Sequence, residues 1–223
     1  MQHLAIYDMD KTITAAPTWT RFLVAATRRR APWRLALLPV AGAAGLGYLL
    51  KLVDRAGLKQ FTQRLMLGRA LTPDAIADVA EAFAGHEVAH GVLHGARERI
   101  AHDRAQGYRL VLATASHGYY AAAIARRLGI EDVIATDAQR DGQGRILSLI
   151  EGDNCYGAVK LRRIERWLES QGIARGDAHV RAYSDHVSDA PMLEWADEAF
   201  AVNAHGPLRA LAGARGWPLL DWR

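Results

Sequence analysis

The chain has a single cysteine, Cys155, among its 223 residues, so no disulfide can form within it. That fits a reducing compartment. No secretory pattern opens the sequence, because the N-terminus runs at once into an apolar strand. No apolar run reaches the roughly 20 residues that span a bilayer comfortably. Acids are scarce where bases are dense. Between positions 20 and 70 the only acid is Asp54, against Arg21, Arg28, Arg29, Arg30, Arg34, Lys51, Arg55, Lys59, Arg64 and Arg69. Inside that basic stretch, positions 35–50 carry no charge at all. Such a segment either packs as part of a helical cap or dips into a membrane interface, with its flanking cations drawn to anionic headgroups. Cap packing is the first expectation. Half the residues are hydrophobic, enough for one substantial core or a core plus a small cap. The net charge is +4 and the pI about 9.4, which suits anionic substrates or surfaces.

The most informative run is Asp8-Met9-Asp10-Lys11-Thr12, which follows the apolar Leu4-Ala5-Ile6-Tyr7. Two carboxylates one residue apart at a strand end can share a hard cation such as Mg2+. A carboxylate can also attack phosphorus, and its neighbour can move a proton. A calcium loop starting at Asp8 fails, because its sixth and twelfth positions are Ile13 and Trp19 rather than a glycine and an acid.

Three later segments fall in a telling order. Arg109-Leu110-Val111-Leu112-Ala113-Thr114-Ala115-Ser116 is a β-rich run ending in hydroxyls. Asp153-Asn154-Cys155-Tyr156-Gly157-Ala158-Val159-Lys160 is a glycine turn leading to a lysine. Ala182-Tyr183-Ser184-Asp185-His186-Val187-Ser188-Asp189 is a strand followed by two carboxylates four apart.

Periodicity predicts strands over 3–8, 108–113, 132–136, 145–149, 179–183 and 198–202. It predicts helices over 95–106, 117–128, 158–169 and 188–195. Asp141-Gly142-Gln143-Gly144 reads as a hairpin turn. Positions 15–89 read as wholly helical, with Thr72-Pro73-Asp74 opening a helix. The alternation after position 95 implies a parallel sheet with helices on both faces. A site is expected at the carboxyl ends of its strands. The expected fold is therefore α/β, a Rossmann-like core over 1–14 and 95–223 with an inserted all-helical cap over 15–94.

With all four segments in view, the chain resembles the haloacid dehalogenase-like phosphatases, in the branch whose helical cap follows the first motif. The resemblance covers nearly the whole chain, including Ala199-Phe200-Ala201-Val202-Asn203 as a last core strand. It implies a Mg2+-dependent phosphomonoester phosphatase working through an aspartyl-phosphate. Asp8 would be the nucleophile and Asp10 the general acid and base, with its backbone carbonyl also on Mg2+. Thr12 would brace the loop. Thr114 would bind a phosphoryl oxygen, with Ser116 the near alternative. Lys160 would neutralise charge on the phosphoryl group and on Asp8. Asp8 and Asp185 would hold the metal, and Asp189 would support Asp185 or a metal-bound water. Ser184-Asp185-His186 departs from the branch's usual Gly-Asp-Ser.

Substrate is less legible. Phosphoserine phosphatases carry a glutamate nine residues after the nucleophile, where this chain has Pro17. They also carry two glycines where it has Ala115-Ser116. The basic, apolar cap and Gly57-Leu58-Lys59-Gln60 resemble phosphatases of the same branch that act on phosphatidylglycerophosphate. A lipid phosphomonoester and a soluble one both stay open, with peripheral contact to an anionic membrane attached to the first. No nucleic-acid partner is expected, and the expected location is cytoplasmic or peripheral on the inner membrane face. One competing motif remains: His86-Glu87-Val88-Ala89-His90, with His94 beyond it, matches a zinc-peptidase pattern. Gly85, Gly91 and Gly95 argue against the firm helix that zinc site requires.

Overall fold

The computed structural model describes all of residues 1–223. An eight-stranded sheet forms its centre. The strands are β1 (Gln2–Tyr7), β2 (Ala70–Leu71), β3 (Arg109–His117), β4 (Asp132–Arg140), β5 (Ile146–Glu151), β6 (Ala178–Ser184), β7 (Glu198–Val202) and β8 (Leu219–Leu220), in the order β2-β5-β4-β3-β1-β6-β7-β8. From β4 to β8 every pairing is parallel; β5 and β2 pair antiparallel at one edge. β1 lies between β3 and β6, so its end meets the ends of both neighbours.

The period-two alternation of β1 divides the core into two layers. Leu4 and Ile6 face a cluster with Ile164, Leu168, Met192, Leu193 and Leu208. Those residues come from helices α7 (Ala158–Ser170), α8 (Ala190–Trp195) and α9 (Pro207–Arg215). Ala5 and Tyr7 face the other cluster, with Phe22, Met66, Phe83, Ile100 and Ile124. These come from α1 (Thr18–Arg30), α3 (Arg55–Leu67), α4 (Pro73–His90), α5 (His94–Ala105) and α6 (Gly118–Arg127). Helices thus cover both faces, as the alternation implied. Beneath the sheet's working end, the buried Asp103 carboxylate accepts hydrogen bonds from Tyr7 at 2.6 Å, Tyr183 at 2.7 Å and Arg181 at 2.9 Å. A fully satisfied buried network of this kind holds β1, β6 and α5 in one register.

The inserted segment differs from expectation in two ways. It is not wholly helical: Arg69 to Leu71 turns back and adds β2 to the edge of the sheet, pairing with Ile146 and Leu147 of β5. Such a two-residue strand is too short to leave a periodic signal. Nor are positions 35–50 cap interior throughout, although Leu35 and Leu37 lie half-buried against the core. After a 3-10 stretch over Pro32–Leu37, they form α2 (Leu38–Leu49), and neither element buries a residue. No helix is long and apolar enough to cross a membrane. Elsewhere the insertion joins the core closely. Phe83 of α4 meets Tyr120 of α6 edge-on at 5.8 Å, and Glu81 bonds both Arg126 and Arg127. The chain's last elements, α9 and β8, complete the sheet beyond β7.

Candidate active site

At the carboxyl ends of β1, β3 and β6 lies a cleft of about 170 Å³. It is lined by Asp8, Asp10, Thr114, Lys160, Asp185 and Asp189 from the four sequence segments. Residues as far apart in the chain as Asp8 and Asp189 converge there because parallel strands end on the same side of the sheet.

The turn after β1 sets the first carboxylates. Lys11 adopts a left-handed backbone (φ 62°), uncommon for a residue with a side chain. Its carbonyl accepts from Asn203 Nδ2 at 2.9 Å, so the end of β7 holds the turn. Asp8 is buried, with its backbone N–H on the Tyr183 carbonyl at 2.9 Å. Thr12 donates to Asp8 Oδ2 at 3.2 Å, the bracing contact expected of it. Asp10 turns toward the insertion: its Oδ1 accepts from the backbone N–H and hydroxyl of Thr18, at 2.9 and 2.7 Å. Ser116 donates to Asp10 Oδ2 at 3.1 Å. The start of α1 therefore orients this carboxylate, a role for Thr18 that no motif in the sequence signalled.

The two candidate hydroxyls take different places. Thr114 lines the cleft, and its Oγ1 accepts from the Ser116 backbone N–H at 3.1 Å, leaving its O–H free to donate. Ser116 is buried, its hydroxyl bonded to Asp10 and within 3.2 Å of the Thr18 hydroxyl.

Gly157 opens α7 at φ +60°, a conformation that side chains strain to adopt. The turn carries Lys160 back toward β1. Its ammonium donates to Asp8 Oδ1 at 2.7 Å and to Asp189 Oδ2 at 2.6 Å, with its side chain 2% exposed. Burial alone would lower the Lys160 pKa, but the Asp189 and Asp8 carboxylates outweigh it and hold the ammonium above its ordinary value. Ser184 also donates to Asp189 Oδ2, at 2.7 Å. Burial raises Asp8 above the carboxylate range; Lys160 pulls it back, and Asp189 and Asp185 push it further up. Asp185 rises to about 6, mainly through burial, with Lys11 opposing and Asp189 adding to the rise.

One ammonium thus faces three buried carboxylates, and charge balance calls for more positive charge. Asp189 Oδ1 is buried with no hydrogen-bond partner. No three His, Cys, Asp or Glu side chains converge to hold a metal by themselves. The donor set implied by the motifs, two carboxylates and one backbone carbonyl, needs no such trio and is an all-oxygen set that suits Mg2+, which keeps several of its own waters.

Further residues line the cleft, and Arg55 among them is one that no motif in the sequence signalled. Arg55, exposed at the start of α3, lies over the Tyr156 ring at 4.1 Å on the cleft's rim. Lys11, Pro17 and Ser188 also line it. His186 lies on the rim too; its Nδ1 accepts the Ser188 backbone N–H at 3.1 Å, so its ring caps a short turn. Only the three-dimensional approach of the insertion to the strand ends brings Arg55 here. Its position within the sequence carries no such signal. Another buried cation from α3, Lys59, donates to the Ala115 carbonyl and to Asn154 Oδ1, tying the insertion to the hydroxyl turn and to the lysine's approach loop.

The zinc pattern behaves differently from its sequence reading. α4 runs unbroken through Gly85 to His90, so the expected break in the helix is absent. The motif fails on its glutamate instead. His86 and His90 are exposed, whereas Glu87 is buried and paired with Arg21 at 2.7 Å. A side chain at Gly91 would collide with that carboxylate. Glu87 therefore faces the interior and cannot serve a metal at the two histidines. His94 pairs with Glu98 at 3.5 Å.

A family model for haloacid dehalogenase-like hydrolases matches residues 5–194. A Mycobacterium tuberculosis protein called phosphoserine phosphatase SerB1 is 32% identical over 136 residues, 61% of this chain and 43% of that protein. The chain thus aligns with less than half the length of this curated relative. A solved Bordetella pertussis protein of unknown function superposes with a TM-score of 0.88 at 27% identity, covering all of both chains. A phosphoserine phosphatase solved as a phospho-aspartyl intermediate analogue matches with a TM-score of 0.65 at 15% identity, covering 100% of this chain and 94% of that one, a likeness of fold. With its mostly parallel sheet, its four ordered motifs in one cleft and a family match across most of its length, the chain belongs to the haloacid dehalogenase-like hydrolases.

Proposed function

We propose that the protein hydrolyses a phosphomonoester through an aspartyl-phosphate on Asp8, with Mg2+ as cofactor. Residues 1–14 and 95–223 would act as the catalytic core and 15–94 as a helical cap over the cleft. The observation that carries this reading is the charge-crowded cleft, in which the buried Asp8 meets the buried ammonium of Lys160 at 2.7 Å. An Asp8 carboxylate oxygen bonds to phosphorus as the phosphorus–oxygen bond to the leaving group breaks. Asp10 gives its proton to the leaving oxygen. It then takes a proton from water, whose oxygen attacks phosphorus, releasing inorganic phosphate and restoring Asp8. Thr114 O–H and Lys160 stabilise the phosphoryl oxygens as charge spreads over them. Thr18 and Ser116 hold Asp10 in one orientation, which keeps the proton transfer directed. The Asp8 and Asp185 carboxylates and the Asp10 carbonyl would hold Mg2+, with Asp189 behind them. When bound, the metal supplies positive charge to the cleft and to the phosphoryl oxygens.

A soluble phosphomonoester is the first reading of substrate, because the cleft is small and polar. A lipid-borne phosphomonoester, met at an anionic membrane, is favoured by one observation: the exposed apolar side chains of α2, flanked in the chain by the insertion's basic residues. The test is a parallel screen of soluble phosphomonoesters and phosphatidylglycerophosphate, each in Mg2+ and in EDTA. Turnover in Mg2+ that EDTA abolishes and Mg2+ restores supports the reading. Turnover indifferent to EDTA, or needing Zn2+, contradicts it.

The raised carboxylates add a pH dependence. Without metal, folded Asp8 and Asp185 keep protons that the unfolded chain releases near pH 4. Stability therefore falls as pH rises from there toward about 6 and above. Mg2+ favours the ionised forms and reverses the penalty. Mg2+ should raise the Tm more at about pH 8 than at about pH 5. Equal shifts at both values, read by calorimetry, would count against carboxylate ligation.

A further inference from the structure

Most of the protein's exposed large hydrophobic side chains fall in one stretch, around α2. Trp33, Leu46, Leu49, Leu50 and Leu52 are 67%, 56%, 73%, 62% and 77% exposed. At Gly42 and Gly45 an added Cβ would meet nothing within 4 Å. A helix that packs against a protein shows one apolar stripe and a polar back, whereas one that is apolar all round belongs in a core or in lipid. α2 has no charged residue on any side and buries none of its residues. Its 12 residues are about 18 Å long, too short for a hydrocarbon core of about 30 Å but matched to one leaflet.

Cations bracket this helix. Arg28 and Arg30 end α1 on its N-terminal side, exposed, and Lys51 follows on its C-terminal side, also exposed. Arg29 is already paired with Asp78 at 2.8 Å and contributes little. The only acid of the region, Asp54, is occupied in capping α3 through the Gly57 N–H at 2.7 Å. An apolar helix flanked along the chain by exposed cations is complementary to an anionic bilayer, whose headgroups attract each nearby basic residue.

The same stretch leads to the cleft. Leu52, the most exposed of these side chains, lies three residues before Arg55 on the rim, hence within about 11 Å of it along the chain. We infer that α2 is a one-leaflet membrane anchor for an anionic bilayer, and that it presents the Arg55 rim of the cleft at headgroup level, to a phosphomonoester carried on lipid. The anchor stands on the exposed helix and its cations alone; the lipid-borne substrate rests on the phosphatase reading of the cleft.

The experiment uses the full chain with vesicles of phosphatidylcholine, with and without phosphatidylglycerol, at low and high salt. The protein should sediment with the anionic vesicles at low salt, be released by salt, and ignore the zwitterionic ones. Its tryptophan emission should shift to the blue on binding, and this shift should shrink in Trp33→Phe. Replacing Arg28, Arg30 and Lys51 by glutamine should weaken binding about fivefold per cation. Leu46→Glu, Leu49→Glu and Leu52→Glu together should abolish binding. Hydrolysis of p-nitrophenyl phosphate in solution should persist in that variant, since none of the three lines the cleft, and its persistence also shows that the variant folds. Absence of vesicle binding by the natural sequence overturns the anchor, whether the protein is then a monomer or a dimer that covers α2 with a second copy. Binding retained by the triple variant overturns it as well. Failure to hydrolyse p-nitrophenyl phosphate, with vesicle binding intact, removes the phosphatase reading and the lipid-borne substrate, and leaves the anchor standing.

Discussion

Asp8→Asn is expected to reduce phosphomonoester turnover by about 10⁴-fold or more, because it removes the nucleophile and not merely a contact to the substrate. The amide keeps the size of the carboxylate, so packing around the β1 end should survive. Thr12 and Lys160 surround a group of the same shape, and the fold's central strand is held by its neighbours, not by this side chain. The variant should give a normal circular dichroism spectrum and a cooperative melt. It should also retain affinity for a phosphomonoester, since Thr114 and Lys160 remain. A folded variant that turns over substrate within tenfold of the natural protein would move the chemistry to another residue.

Lys160→Met should have the largest effect on stability of any change in the cleft. Lys160 is the one ammonium bonded to Asp8 and Asp189, and methionine fills its volume without its charge. Breaking a buried ion pair by removing one partner costs about 3–5 kcal/mol, because the surviving charges stay buried and unpaired. For a domain of this size that corresponds to a Tm lower by about 10 °C. The loss should grow with pH. Without the ammonium the buried carboxyls hold protons to higher pH than they do in the unfolded chain, so the fold weakens as pH rises above about 4. Mg2+ should return part of the lost stability but little of the activity, because the charge facing the phosphoryl oxygens is gone, a loss of about 10²–10³-fold in kcat. A melt that is unchanged across pH would mean that Lys160 does not balance the carboxylates.

Much of this site was legible because three of its residues follow apolar runs. Asp8, Thr114 and Asp185 each close an apolar run, and a parallel sheet gathers such ends on one side. Glu198–Val202 matches its expected strand, since a short β-rich run between turns leaves little ambiguity. Strand β3 runs to His117, beyond the expected end at 113, because after an irregularity that spans Thr114 and Ser116 the chain pairs once more, His117 with Thr136, which no apolar period announces. What periodicity cannot carry is tertiary approach. Thr18 holding Asp10, Lys59 tying α3 to Ala115, and Arg55 over Tyr156 all depend on how the insertion folds back. The exposure of α2 was hidden for a related reason. An uncharged run reads the same whether protein or solvent surrounds it, and only the tertiary placement of α2, packed against α3 on one side, leaves none of its residues buried. At His86 and His90 the spacing was right, but the intervening glutamate turned inward to Arg21. Three letters in register do not specify which face of a helix is buried.

The central claim is the covalent bond between phosphorus and Asp8. The direct measurement is rapid acid quenching during turnover, followed by borohydride reduction, which converts an aspartyl-phosphate into homoserine, and by peptide mass mapping. The account predicts homoserine at position 8 only, dependent on substrate and absent from Asp8→Asn. Modification at any other residue, or none while substrate is being consumed under conditions that trap acyl phosphates, would contradict it.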